Sequence, residues 1–385
     1  MRVFIIAGEP SGDKLGGALM QGLRQLCPDV TFDGIGGAQM CAQGLESRFP
    51  MAELSVMGIA EVLPKYRALK ARIREMADAV ILTHPDVLIT IDSPDFSFRV
   101  AKAVKAASDI RTVHYVAPTV WAWRPKRAQK IARFIDHLLT LLPFEPPYFT
   151  KHGMACDFVG HPVVAEPVPL EKEVLAFREK YGFGNAPLLV VLPGSREGEV
   201  RRLRGVFGAS LGPVLTAQPE LQVVVPAAAP VADLVKDAVR TWPVKAHILD
   251  ARVGDVEEAA WQKRIAFKAA DVALAASGTV SLELAAARTP MVIAYRMHWL
   301  SFRIIQWMAQ VDTVTLVNLV SQTRVVPEFL GPACQADAIA DALMQVMDAP
   351  DAQIEAMNLA MAQLGEGGIA PGLRAAQAIL DRIRT

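Results

Sequence analysis

An α/β protein of two domains, each built on a parallel sheet, is what this sequence predicts, and three observations carry the prediction. Strand-like apolar runs alternate with helical patterns along the 385 residues. In each half, one such run ends in a small-residue turn that opens a helix. Between His161 and Pro187 the apolar runs stop. Alternation of this kind belongs to parallel sheets with helical crossovers, and a chain of this length has room for two cores.

The runs lie at 3–7, 87–91, 112–116, 137–142, 188–192, 221–225, 271–275 and 291–295. The first turn reads Phe4-Ile5-Ile6-Ala7-Gly8-Glu9-Pro10-Ser11-Gly12-Asp13, with Leu15, Ala18 and Leu19 at helical spacing behind it. The second reads Asp271-Val272-Ala273-Leu274-Ala275-Ala276-Ser277-Gly278-Thr279, followed by Leu282 to Ala287. Such a helix start presents unpaired N–H groups and the positive end of the macrodipole, which suits an anionic group. One turn in each half predicts two Rossmann-like domains facing a common cleft. The gap between them carries Pro162, Pro167 and Pro169, the charged stretch Glu171 to Lys180, and Gly182-Phe183-Gly184. This linker sets the domains at 1–165 and 166–345. From Asp351 the chain is helical and alanine-rich, broken only by Gly365, Gly367 and Gly368.

Bulk properties narrow the function. Forty basic and forty acidic residues balance, so there is no global case for nucleic-acid binding. The hydrophobic fraction is 52%, yet no apolar stretch is long enough to span a bilayer. Met1 to Gly8 is too short for a signal segment and has no small-residue cleavage site behind it, so it reads as a buried strand of a cytosolic protein. Cys27, Cys41, Cys156 and Cys334 are scattered, fit no zinc spacing, and read as reduced core fillers.

Several turns carry candidate chemistry. Leu188 to Leu192 runs into Pro193-Gly194-Ser195-Arg196. The Gly-Ser turn lets backbone approach a phosphate and Arg196 offers a charge-assisted fork; an ordinary turn with a surface arginine reads equally well. Ser277, Gly278 and Thr279 are three small residues where a pyrophosphate would rest. Glu283 lies four residues after Thr279, not the three of a capping box, and its carboxylate suits a ribose; a solvated helix glutamate is the alternative. Neither turn is a dinucleotide fingerprint or a P-loop. In the first half, Leu88-Ile89-Thr90-Ile91 ends in Asp92-Ser93-Pro94-Asp95-Phe96. Carboxylates at the end of a parallel strand point into the crevice where such sheets bind ligands, and one of them suits a general base. Capping of the next helix accounts for at least one. The chain has no Asp-x-Asp pair, so no metal-diphosphate clamp of that type and no metal site is expected.

Two segments look membrane-facing. Met57 to Lys70 mixes apolar residues with a cationic cluster reaching Arg72 and Arg74, and Val120 to Arg127 interleaves Trp121 and Trp123 with basic residues. Interfacial segments have this composition. A core helix and packing tryptophans are the plainer readings.

Taken in order, the motifs resemble the lipid-A-disaccharide synthase family, inverting glycosyltransferases of the two-domain GT-B fold. The resemblance rests on Gly8 to Asp13, Ile91 to Phe96, Val120-Trp121-Ala122-Trp123, Leu142-Pro143-Phe144-Glu145 and Gly160-His161-Pro162. It continues with Leu192 to Arg196, Ala276 to Thr279, Glu283 and Val326-Pro327-Glu328, so it spans nearly the whole chain. One departure stands out. The family's Leu-Pro-Asn followed by Gly-Arg is here Leu316-Val317-Asn318 and then Gln322-Thr323-Arg324, which leaves the part of Arg324 open.

The resemblance implies transfer of 2,3-diacylglucosamine from UDP to the 6-hydroxyl of 2,3-diacylglucosamine 1-phosphate. The products are a β(1→6) disaccharide 1-phosphate and UDP, with no cofactor and no metal. It implies Asp95, or else Asp92, as the base. Arg196 and the Ser277-Gly278-Thr279 helix start then stabilise the departing diphosphate, and Glu283 holds the ribose. Asn318 is a candidate for uracil or diphosphate contact. Ser11 and Asp13 would meet the sugar or the acceptor, with Arg124 or Arg127 near the acceptor's 1-phosphate. It further implies that residues 346–385 return to the first domain, a homodimer with exchanged C-terminal segments, and a peripheral place at the cytoplasmic face of the inner membrane. Two rivals stand beside it: a UDP-sugar 2-epimerase, and a membrane-associated module that binds UDP without catalysis.

Overall fold

In the computed structural model the described residues are 1–54, 59–276, 278–297, 303 and 307–383, with the side chains of 59–66 outside the description. The chain divides into two compact units, Met1–Ala165 with Leu364–Thr385, and Glu166–Gln363.

The first unit holds a six-stranded parallel sheet. Its strands are β1 (Arg2–Ala7), β2 (Thr31–Ile35), β3 (Val87–Ile91), β4 (Arg111–Tyr115), β5 (His137–Thr140) and β6 (Ala155–Phe158), in the order β2-β1-β3-β4-β5-β6. Central strands such as β3 are buried at every residue, because helices cover both faces. On one face, Phe4, Ile6 and Leu88 pack with Met76 and Val80 of the helix Ile59–Thr83 and Val100 and Val104 of the helix Pro94–Ala107. On the other, Ile5, Ile89 and Val113 pack with Leu19 and Leu23 of the helix Pro10–Leu26.

The chain's last helix, Pro371–Ile383, lies on that second face, with Ala375, Ala376, Ile379 and Leu380 in the same cluster. Gly372 makes the approach possible, since a Cβ there would stand 2.5 Å from the Ala18 carbonyl oxygen. Arg382 forks onto Asp157 at 2.8 and 3.1 Å, fastening the helix to the edge strand β6.

The second unit also holds six parallel strands: β7 (Leu188–Leu192), β8 (Gln222–Ala227), β9 (Ala246–Asp250), β10 (Val272–Ala275), β11 (Met291–Tyr295) and β12 (Glu328–Leu330). Their order is β12-β11-β10-β7-β8-β9, which is the doubly wound dinucleotide-fold order. The charged stretch read from sequence as linker is a helix, Glu171–Lys180, that belongs to this unit. Val174 and Phe177 supply its buried stripe, which charge density hides in the sequence. Arg178 ties it down by donating to the Ala269 carbonyl at 2.6 Å and to Asp271 at 3.1 Å.

Candidate active site

Open parallel sheets bind ligands outside the carboxyl ends of their strands, where the strand order reverses. In the first unit that point lies between β1 and β3, whose ends are in register at Ala7 and Ile91. The two turns leaving these ends meet closely. A Cβ on Gly8 would come 2.6 Å from Ser93 Oγ, which is why glycine stands there. Ser93 Oγ in turn donates to Glu9 at 3.4 Å. Asp92 and Ser93 take φ of 50° and 44°, and at the end of neighbouring β4 the β-branched Val116 takes 84°. Such conformations cost on the order of 1–3 kcal/mol each and gather at functional sites.

The predicted residues of this unit separate by environment. Asp92 is half-buried, and burial raises its carboxyl above the usual range, partly offset by a hydrogen bond from the Ser93 backbone. Asp95 is exposed in the first turn of the helix Pro94–Ala107, and Ser11 is exposed in the first turn of the helix Pro10–Leu26. Asp13 is different. It is buried, and it accepts from the backbone N–H groups of Gly37, Gln39 and Met40 at 2.7–3.0 Å. Its oxygens are committed to the turn after β2, so Asp13 shapes the site without facing it.

Two motifs that looked separate in the sequence join here. Trp121 is buried, and its indole N–H donates to the buried Glu145 at 3.1 Å, while the Leu142 backbone N–H donates to the other carboxylate oxygen at 3.0 Å. Trp121 is thus a packing residue and not the interfacial tryptophan its neighbours suggested. Trp123 is exposed, with the Arg124 guanidinium 3.9 Å over its ring. Arg127 is half-buried over Phe98.

In the second unit the order reverses between β7 and β10, in register at Leu192 and Ala275. Both small-residue turns leave from this point. After β7, the backbone N–H groups of Ser195 and Arg196 donate to Glu199 at 3.1 and 3.3 Å. That carboxylate occupies the helix start which the sequence suggested for a phosphate. The Arg196 side chain stays 72% exposed, with one long 3.5 Å contact to Glu199. After β10, Gly278 and Thr279 are exposed before the helix Val280–Ala287, and Ser277 lies outside the described residues. Glu283, in the first turn, pairs with Lys263 at 2.6 Å.

Asn318 is buried. Its amide donates to the Val326 carbonyl at 2.9 Å, and its oxygen accepts from the Val326 N–H at 3.1 Å. Both bonds tie Asn318 to the chain eight residues on, so it braces the loop behind β11. Glu328 completes the brace, accepting from Thr313 Oγ1 at 2.5 Å and from the Thr315 N–H at 2.7 Å. Arg324 forks onto Asp312 at 2.5 and 3.0 Å. The anchoring parts of Glu199 and Glu328 were not read from the sequence, although Glu199 lies three residues past the Leu192–Arg196 motif and Glu328 is itself the last residue of the Val326–Glu328 motif.

The comparisons with known proteins follow this geometry along the whole chain. The family profile described as lipid-A-disaccharide synthetase matches residues 3–366. A lipid-A-disaccharide synthase of Ruegeria pomeroyi is 63% identical over 383 residues, covering 100% of this chain and 96% of the relative. One of Rhodospirillum centenum is 46% identical over 387 residues, covering 99% and 94%. The chain belongs to the lipid-A-disaccharide synthase family. It is a glycosyltransferase of lipid A biosynthesis. Among solved structures, the UDP-GlcNAc 2-epimerase of Neisseria meningitidis bound to UDP-GlcNAc matches with a TM-score of 0.64 at 12% identity, covering 100% of both chains. That likeness concerns the GT-B fold alone, so the epimerase rival keeps the architecture and loses the sequence family.

Met57 and Gly58, and the side chains of Ile59 to Tyr66, lie outside the described residues. Beyond them Arg67, Lys70 and Arg74 are exposed, while Leu69 packs against the core. Arg72 is spent within the fold, on Glu53 and Glu75 at 2.7 Å and over the Phe49 ring. Among the described residues no helix is long and apolar enough to cross a membrane.

Proposed function

We propose that this chain transfers a 2,3-diacylglucosaminyl group from UDP to the 6-hydroxyl of 2,3-diacylglucosamine 1-phosphate, giving the β(1→6) disaccharide 1-phosphate and UDP. What carries the reading is the strained turn at the end of β3, which sets two carboxylates at the switch point of one unit of a family member. Asp95, exposed and in reach of substrate, takes the proton of the acceptor hydroxyl; Asp92 beside it is the alternative base. The acceptor oxygen bonds to the anomeric carbon as the bond to the diphosphate breaks, and the electron pair leaves with UDP. A single displacement of this kind inverts the α-linked donor.

The nucleotide belongs to the second unit. Arg196 and the Ser277-Gly278-Thr279 helix start stabilise the charge that grows on the diphosphate, in the place a metal ion takes in other enzymes. Glu283, held by Lys263, takes the ribose. Asn318 supports this site by bracing its loop. In the first unit Ser11 meets the sugar, Asp13 positions the loop that follows β2, and Arg124 or Arg127 receives the acceptor's 1-phosphate. Acylated substrates place the enzyme at the cytoplasmic face of the inner membrane, attached through the start of the helix Ile59–Thr83 and through Trp123, and the working form is a homodimer. The experiment is UDP release from UDP-2,3-diacylglucosamine with and without the lipid acceptor. Release only when acceptor is present supports transfer. Release or epimerisation of the donor without acceptor points to a rival.

A further inference from the structure

Glu145 is a buried carboxylate that the proposed chemistry leaves unused. It is 3% exposed, and among the described residues no lysine or arginine pairs with it. Burying an unpaired carboxylate is costly, and an apolar residue of similar size would pack at lower cost. Its surroundings give it a task. One oxygen accepts the Trp121 indole N–H at 3.1 Å and the other accepts the Leu142 N–H at 3.0 Å. The Trp121 ring also stands edge-on to Phe144 at 5.2 Å. The residues thus fasten the turn after β4 to the turn after β5, both at the carboxyl end of the sheet.

The fastened segment has little support of its own. The helix Val120–Trp123 is four residues long, too short to hold itself. Two residues past the buried Trp121, the chain exposes Trp123 with Arg124 stacked on it.

We infer that Glu145 is a positioning residue for acceptor recognition: through Trp121 it fixes the turn that presents Arg124 to the phosphate of the acceptor lipid. The inference rests on the proposed reading of the first unit as the acceptor side. Glu145 touches no substrate; it acts by holding the segment that does.

The test compares acceptors bearing a 1-phosphate or a 1-hydroxyl, at varied donor, for the full-length enzyme and its Glu145→Leu, Glu145→Gln and Trp121→Phe variants. Wild type is expected to prefer the phosphate; equal use of both acceptors by wild type overturns the reading of Arg124, whatever the variants do. Given that preference, Glu145→Leu and Trp121→Phe should each raise the KM for the phosphorylated acceptor about tenfold or more, the equivalent of one charge-assisted hydrogen bond. The 1-hydroxyl acceptor, the donor KM and UDP affinity should be unchanged. Combining the two substitutions should add little, because they remove one bond from opposite ends. Glu145→Gln keeps an oxygen for the indole and should recover most of the preference. Unchanged phosphate preference in folded Glu145→Leu, or in Trp121→Phe if the leucine variant does not fold, overturns the inference. Equal losses toward donor and both acceptors would do the same, since they mark a general structural role.

Discussion

Asp92 and Asp95 share one turn in different surroundings, and that difference is the main residue-scale question. Burial raises the Asp92 carboxyl, whereas Asp95 stands exposed in a helix's first turn. With Asp95 as base, Asp95→Asn should lower kcat by about 10²–10⁴-fold and leave UDP affinity nearly unchanged. Full activity in Asp95→Asn beside an inactive Asp92→Asn moves the base to Asp92, and activity in both removes the carboxylate mechanism. On the nucleotide side, Glu283→Ala and Arg196→Ala should each weaken UDP binding by roughly 1.5–3 kcal/mol in calorimetry of the full chain. Unchanged affinity in both would put the nucleotide elsewhere. Residues at strand ends were legible because the motif and the switch point coincide in sequence. What a carboxylate or amide is committed to was not. Asp13 bonds backbone 24–27 residues away, and Asn318 bonds Val326 eight residues on, so neither commitment shows in local spacing.

Elements were legible in proportion to their burial. The eight strands anticipated from apolar runs are the inner ones, β1, β3, β4, β5, β7, β8, β10 and β11. The four not anticipated, β2, β6, β9 and β12, are the four edges of the two sheets. An inner strand is covered on both faces and flanked on both sides, so it reads as a continuous apolar run. An edge strand is half-exposed, and β9 and β12 have no fully buried residue. The segment opening the helix Ile59–Thr83 mixes both signals, which is why a core helix and a membrane-docking helix were both open readings. Its second half is core through Ile73, Met76 and Val80. If its first half docks on lipid, Val62→Ser with Leu63→Ser should reduce co-sedimentation with anionic vesicles and keep a cooperative thermal transition, each buried CH₂ being worth about 0.8 kcal/mol. Leu69 is left intact because it packs on the core. Loss of the transition, or full sedimentation, would make the whole helix structural.

At the scale of the molecule, one unit carries a readable acid sensitivity. Burial pushes the imidazole of His114 down to about 3, and those of His137 and His161 down to about 4. Unfolded histidine titrates near 6.5, so the unfolded chain binds more protons across roughly pH 4–6.5 and stability is lost as pH falls. Glu145 acts oppositely: burial pushes its carboxyl up to about 7, so its contribution declines as pH rises above about 4.5. Asp92, also raised, has the same sign as Glu145. Three histidines outweigh the two carboxyls, and the stability of this unit in urea melts should rise by roughly 1–3 kcal/mol per pH unit between about pH 5 and 6. A flat or falling dependence would mean that the histidines are not buried as neutral rings. The proposed reaction is a single displacement carried by side chains and a helix start. Its most direct measurement is the anomeric configuration of the disaccharide, determined by NMR on product formed from the α-linked donor in the presence of EDTA. A β(1→6) product at an undiminished rate is expected; an α-linked product, or turnover that stops with EDTA and returns with Mg²⁺, would rule this reaction out.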